Sequence, residues 1–237
     1  MRVKLPLGRS LFFAAALLFA LFALLPLRLG LAWLGLDARG FAAREAQGSL
    51  WFGAVREARF GSVELGDLEA RLRALPLLLG RARLELRRGG GGERLEGALI
   101  ASRHGFGIED ASGRLPVSIS GPLPLAALEL DDVSVGFAGG LCRRAEGRVR
   151  AALGGELAGL ALPASLAGDL RCDGGSLLLR LSGQSGMERL DLRLGEDGRY
   201  RAELIVRPGD PALRDRLAAN GFVAAGEGWV LRFTGEL

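Results

Sequence analysis

Few residues in this 237-residue chain have side chains suited to chemistry, and its two cysteines are the first to consider. Cys142 and Cys172 are far from the lone histidine, His104. In an oxidising compartment, an isolated cysteine pair is expected to form a disulfide. The alternatives are two unpaired buried thiols or, least favoured, a zinc site, because two sulfurs without a nearby histidine cannot complete four ligands. We therefore predict a Cys142–Cys172 disulfide and no metal site.

The remaining ionisable residues do not assemble into a catalytic pattern. His104 precedes a glycine in a turn-like segment and is expected at the surface. The acidic pairs 109–110 and 131–132 lie in strand-like segments, so the side chains of each pair should point to opposite faces unless a bulge intervenes. Nucleophile-elbow, zinc-protease, phosphate-loop and dinucleotide-binding motifs are absent from the sequence. The protein is predicted not to be an enzyme and to bind no cofactor and no small-molecule substrate.

The segments that carry these residues alternate apolar and charged positions. The clearest runs are 68–74, 82–87, 190–194, 200–207 and 229–234. Alternation with one charged face is typical of an antiparallel sheet. Glycine-rich turns separate the runs, including a predicted hairpin tip at 89–92.

Two local signals interrupt the alternation. The apolar parity changes at Asp131 and Asp132, which predicts a bulge or a strand bend. Residues 208–221 predict a short helix with Asp210 as N-cap, Pro211 at its first position and Gly221 after its end. The chain is therefore predicted to be mainly β, with about a dozen short strands. These strands could close as a sandwich or remain a bent sheet whose apolar face lines a trough.

An uncharged run of Leu, Phe and Ala covers residues 10–27 and follows three basic residues, Arg2, Lys4 and Arg9. As a helix it would span about 27 Å, enough for a bilayer core. With the positive-inside rule, this predicts a cytoplasmic segment 1–9, a transmembrane helix 10–27 and a periplasmic β-rich domain 28–237 in the bacterial inner membrane. A cleaved signal peptide is the alternative, but the small-x-small cleavage pattern is missing after the run.

The charge distribution argues against a nucleic-acid surface. The formal net charge is +4, from 31 Lys and Arg against 27 Asp and Glu. The basic residues alternate with acids and form no cluster. Since all but Lys4 are arginines, the excess is better explained by a G+C-rich coding bias than by phosphate binding.

Several short motifs resemble the type II secretion system protein N family (general secretion pathway protein N). They are residues 48–53, 65–68, 75–80, 228–231 and 235–237, together with the Cys142/Cys172 pair. The resemblance implies an accessory inner-membrane subunit of the machine that exports folded proteins across the outer membrane. It also implies one membrane helix, a β-rich periplasmic domain and no catalytic role.

Two functions are then compared. In the first, the domain is a scaffold that contacts other inner-membrane and periplasmic secretion subunits through sheet edges, with Trp51, Arg73 and Arg83 as candidate interaction residues. In the second, it is a lipid-binding or lipid-transfer protein that holds acyl chains on the apolar face of a bent sheet. The two differ in whether that face is covered or open, and membrane lipids are expected partners in either case.

Overall fold

The computed structural model describes residues 7–33, 40–61, 63–88, 93–117, 125–157, 160–210, 213–226 and 228–236. The described helices are α1 (Leu7–Ala23), α2 (Leu27–Trp33), α3 (Ala74–Leu78) and α4 (Leu213–Ala219). The strands of the first half are β1 (Phe41–Ala42), β2 (Glu45–Gly48), β3 (Gly53–Phe60), β4 (Val63–Leu72), β5 (Arg81–Arg88), β6 (Leu95–Ser102), β7 (Gly105–Pro116) and β8 (Leu125–Ala138). Those of the second half are β9 (Leu141–Leu153), β10 (Glu156–Leu157), β11 (Leu160–Ala161), β12 (Ser165–Asp173), β13 (Ser176–Ser182), β14 (Glu188–Leu194), β15 (Arg199–Val206), β16 (Val223–Ala225) and β17 (Gly228–Glu236).

Fifteen of these strands form one antiparallel sheet in which nearly every strand pairs with the next one along the chain. The pair β10–β11 is a separate hairpin, and β9 pairs with β12 across it. At one end of the sheet β1 and β2 both pair with β3, and at the other end β16 pairs with β17. The prediction of a mainly β fold is confirmed, and the sheet is open.

The sheet bends sharply at β4 to β7. Val63 of β4 forms a bridge with Val117, directly after β7, although β5 and β6 lie between these strands in the sheet order. Arg88, the last residue of β5, donates hydrogen bonds to the carbonyls of Leu65, Glu93 and Arg114 around this point. A guanidinium has enough donors for several carbonyls at once, so Arg88 joins the backbone of β4, of β7 and of the chain before β6.

Most of the buried apolar residues face one side of the sheet and form two core clusters. The first is built on α2 and β1 to β6 around Leu27, Val55 and Leu84. The second is built on β7 to β17 and α4 around Leu166, Leu204 and Leu217. Burial of apolar surface is the main favourable term in folding, at about 25 cal/mol per Å², so these clusters account for the stability of the sheet.

Three of the bulges in the described strands contain a non-glycine residue with positive φ: Glu57 in β3, Asp110 in β7 and Asp132 in β8. The bulge predicted at Asp131 and Asp132 is therefore confirmed. The β7 and β8 bulges are linked, because the Asp110 N–H donates to Ser134 Oγ and the Asp132 N–H donates to Ser112 Oγ, both at 3.1 Å. Each strand thus supplies the acceptor for the unpaired N–H in the bulge of its neighbour.

The predicted short C-terminal helix is confirmed as α4, with Leu217 buried against the second core cluster. Gly221 follows it with a φ of 85°, a conformation that glycine adopts without steric cost. Some predicted features lie outside the described residues: Arg2, Lys4, the side chain of Arg9, the tip at 89–92, Pro211 and Leu237.

Helix α1 overlaps the predicted apolar segment but ends at Ala23, four residues before Leu27. Proline disfavours helical conformation in the residue before it, and Pro26 instead forms a bridge with Ser49. Among the described residues, no helix has both the length and the hydropathy that a membrane crossing requires.

Candidate functional site

The first candidate site is the junction between α1 and the sheet, where Trp51 is the central residue. Its indole Nε1–H donates to the Phe22 carbonyl oxygen at 3.0 Å, and the two ring centroids are 4.7 Å apart. The Leu50 N–H donates to the Leu25 carbonyl oxygen at 2.8 Å. Residues 50–51 therefore join the end of α1 and the turn that follows it to the sheet. Trp51, predicted as an interaction residue, has its partner within the chain.

Close packing of α2 completes this junction. Leu27 is fully buried in the first core cluster, between the two helices and the first strands. A Cβ on Gly30 would overlap the Leu50 side chain, and a Cβ on Gly53 would lie 2.6 Å from Leu27 Cδ2. The two glycines therefore let α2 approach the chain leading into β3 more closely than any other residue would allow.

An apolar cavity of about 460 Å³ lies beside the junction. It is bounded by the helices, by residues 50–51, and by side chains from β4, α3 and β5. Its lining includes Phe22, Leu25, Leu29, Leu72, Leu77 and Ala82. None of the residues that line it is charged, so the cavity offers no group for catalysis and suits hydrocarbon.

The second candidate site is an ion-pair cluster on the charged face, centred on Arg83. Its guanidinium contacts the carboxylates of Glu109 and Asp110, the latter at 2.7 Å. Adjacent strand residues normally face opposite ways, but Asp110 is the bulge residue, so both carboxylates reach one side. The sequence predicted that these two acids share a face only if a bulge intervenes, and the structure has a bulge at this point.

This cluster holds Arg83 charged. The hydrogen bond to Asp110, opposed in part by burial and aided by the charges of Glu109, Asp110 and Glu85, raises the pKa of Arg83 above its ordinary value. A group whose folded pKa is raised stabilises the fold at every pH below its ordinary pKa, and arginine stays protonated throughout the physiological range. The arrangement is a structural clamp between β5 and β7.

Arg73, the third predicted interaction residue, lies on the charged face just before α3. Its Nε–H donates to Glu85 Oε1 at 2.7 Å, and its side chain is about half exposed. Further ion pairs join strands across the same face: Arg148–Asp169, Arg150–Glu129, Arg180–Asp191, Arg193–Asp173 and Arg232–Glu203. Much of the charge on this face is therefore neutralised locally between strands.

The two cysteines are placed to form a disulfide. Their Cα atoms are 5.5 Å apart, within the range that a disulfide needs, and the sulfur atoms lie at bonding distance. The paired register between β9 and β12 ends at Arg148 and Asp169, and the cysteines lie beyond it. A bond here would join the two strand ends where the backbone ladder has stopped.

We predict that the double variant Cys142→Ser/Cys172→Ser unfolds more easily than the wild type. Cross-linking residues with a separation of 30 stabilises by about 3–4 kcal/mol on the chain-entropy model. Denaturant unfolding of the oxidised wild type, the reduced wild type and the variant measures the difference. Labelling of thiols in protein isolated without reductant would contradict the prediction, since a bonded pair leaves none to react.

The apolar face is not evenly covered. A cross-strand row runs along it from Leu84 through Leu99 and Ile108 to Val135. Leu84 is 1% exposed, whereas Ile108 is 42% exposed. Ile108 belongs to neither core cluster, so an opening in the apolar face lies between the two cores, at β7.

The edges of the sheet are the remaining candidate surface. At the C-terminal end, β16 pairs with residues 228–230 of β17, and its own three residues are exposed. Within the described chain, residues 231–236 of β17 pair with β15 on one side and with no strand on the other. A free edge of this length is a template for pairing with an added strand.

The described residues show no cluster of three or more His, Cys, Asp or Glu side chains that could hold a metal ion. His104 is exposed in the β6–β7 turn, where its N–H donates to Ser102 Oγ. The candidate sites are the junction at Trp51, the ion-pair cluster at Arg83, the opening at Ile108 and the free edge of β17.

Comparison with known proteins points to one family. The model of the family described as type II secretion system (T2SS), protein N, matches residues 39–232. The Type II secretion system protein N of Vibrio cholerae serotype O1 is 27% identical over 223 residues, which cover 87% of each chain. No solved structure matches this chain.

Proposed function

Because the chain belongs to the type II secretion system protein N family, a group of accessory components of that export machinery, we propose that it is a non-catalytic scaffold anchored in the inner membrane. Membership of this family is the main support for the proposal, and the open sheet supplies an edge through which a scaffold can bind a partner. In this function α1 holds the chain in the bilayer, and the sheet extends into the periplasm to contact other secretion subunits.

The anchoring part of the proposal rests on the surface of α1. Its large side chains at positions 11, 12, 13, 17, 18, 21 and 22 are Leu or Phe and are all largely exposed. So much exposed apolar surface is unfavourable in water and favourable in a bilayer. Through Trp51 and Leu27, the end of α1 is tied to the first core cluster, so the sheet would keep a set position relative to the membrane.

The scaffold part rests on the free edge of β17. An added strand from a partner would pair with the backbone of residues 231–236, and the alternation of Leu231, Arg232 and Phe233 would set its register. The charged face is less suited to this role, since Arg73 and Arg83 are already paired within the chain.

Site-specific photocrosslinking in cells that assemble the secretion system tests this function. We expect a crosslinking amino acid at the exposed Thr234 of β17 to capture another secretion subunit. The matched control is Arg171, which is also exposed but lies on the interior strand β12. Equal capture at both positions would contradict edge recognition, and absence of any secretion subunit at either position would contradict the scaffold.

A second function, the binding of lipid on the apolar face, is favoured by one observation. Ile108 is 42% exposed in a row of side chains that otherwise points into the core. An acyl chain could cover this opening without displacing another strand. The experiment that separates this function from the scaffold is developed in the Discussion.

A further inference from the structure

The short helix α3 presents the most exposed apolar cluster of the domain. Leu75, Leu78 and Leu79 are 78%, 84% and 81% exposed, and no residue of α3 is buried. Soluble surfaces seldom place several large apolar side chains together in this way, and where they do the patch marks a contact surface. We call these three residues the α3 leucines.

The α3 leucines lie next to the end of α1. Leu77, between them in the chain, lines the apolar cavity together with Phe22, Leu25 and Leu29. Leu29 is 54% exposed, and Leu24 is more exposed than Leu29. The apolar surface is therefore continuous from the helix proposed to enter the bilayer, across the junction, to the tip of α3.

The backbone at the end of α3 is paired within the turn. Pro76 has no N–H, and the N–H groups of Leu79 and Gly80 donate to the carbonyls of Pro76 and Leu77 at 3.0 Å. Internal pairing of this kind lowers the cost of placing backbone donors in lipid. Arg73 and Arg81 flank the turn with half-exposed side chains, as basic residues do at the level of lipid headgroups.

We propose that the α3 leucines insert into the periplasmic leaflet of the membrane that holds α1, as a second membrane contact of the chain. The inference rests on the proposed anchoring of α1. Insertion of an amphipathic segment reaches about 5–10 Å into the boundary between headgroups and acyl chains. This second contact would act together with the junction at Trp51 to hold the sheet at a set tilt relative to the membrane.

Quenching by nitroxide-labelled lipid tests the inference in the full chain. Single cysteines are introduced as Leu78→Cys, Leu17→Cys in α1 and Val223→Cys in β16, and each is labelled with an environment-sensitive fluorophore. All three positions are highly exposed, so the changes should not unfold the protein. The labelled proteins are reconstituted into phosphatidylethanolamine–phosphatidylglycerol vesicles that carry a nitroxide at a shallow acyl position.

We expect the label at position 78 to be quenched several-fold more than the label at position 223, and the label at position 17 to be quenched as well. Quenching at 17 with none at 78 beyond the level at 223 would overturn the inference while leaving the anchoring in place. In that outcome we would expect the α3 leucines to contact a protein partner, which the lipid vesicles do not contain. Quenching at neither 17 nor 78 would overturn both the inference and the anchoring.

Discussion

Replacement of Arg83 by glutamate is expected to destabilise the folded sheet by about 1–3 kcal/mol, between the values for breaking an exposed and a buried ion pair. The Arg83 side chain is only 27% exposed and bridges Glu109 and Asp110 on β7. A glutamate at this position would remove the cation that joins Asp110 to Glu109, leave Glu109 paired with Arg81 and Arg144, and add a third negative charge beside them. Thermal unfolding of the full chain in detergent, followed by circular dichroism, measures the effect.

Arg73→Glu is the matched control for this change. It alters the charge by the same amount on the same face, but Arg73 is more exposed and pairs with a single carboxylate. Exposed pairs contribute about 0–1 kcal/mol, so the control should unfold close to the wild type. The charge swap Arg83→Glu/Glu109→Arg should recover part of the loss. If Arg83→Glu unfolded no earlier than Arg73→Glu, the clamp between β5 and β7 would not contribute to stability.

The clamp also illustrates what the sequence could predict of the fold. Alternation correctly predicted antiparallel strands, since one charged face repeats every second residue. The bulge at Asp131 and Asp132 was predicted because apolar residues change parity there. The same pattern, an apolar residue, two polar residues and another apolar residue, occurs at 55–58 and at 108–111. Both of these segments contain bulges as well. The same pattern in the sequence therefore predicts all three bulges.

Features that depend on long-range contact could not be predicted from the pattern. Trp51 was singled out as an interaction residue, but its contact with Phe22 joins positions 29 residues apart. Alternation assigns a side chain to a face without stating what covers that face. The choice between a sandwich and an open sheet therefore needed the strand order, and the opening at Ile108 needed the packing of both cores.

Burial also determines which apolar residue can test the lipid-binding function. Leu84→Asp or Leu72→Asp would place a carboxylate in the first core cluster, where Leu84 is 1% exposed and Leu72 is 6% exposed. The lost apolar burial and the cost of a buried charge together exceed about 5 kcal/mol, comparable to the whole stability of many domains. We expect these variants to unfold, so loss of lipid from them would not distinguish the two functions.

Ile108→Asp avoids this problem because Ile108 is 42% exposed on the same apolar row. A partly exposed substitution of this kind should cost about 1 kcal/mol, near the average for single changes. Met187→Asp is the matched control, since Met187 is 45% exposed and belongs to the turn between β13 and β14. Both variants should remain folded by circular dichroism, which leaves lipid contact as the measured difference.

Lipid contact is measured with a phospholipid that carries a photoreactive group on its acyl chain, reconstituted with the full protein and mapped by peptide mass spectrometry. A lipid-binding trough predicts labelling of β7 near residue 108 that is lost in Ile108→Asp and kept in Met187→Asp. A scaffold predicts no labelling of β7 in any variant and unchanged capture of secretion subunits from Thr234. Labelling of α1 provides an internal reference, because under the proposed anchoring α1 meets acyl chains in both cases. Labelling of β7 therefore distinguishes the two functions. Ile108 is partly exposed there, although alternation predicts that it faces the core.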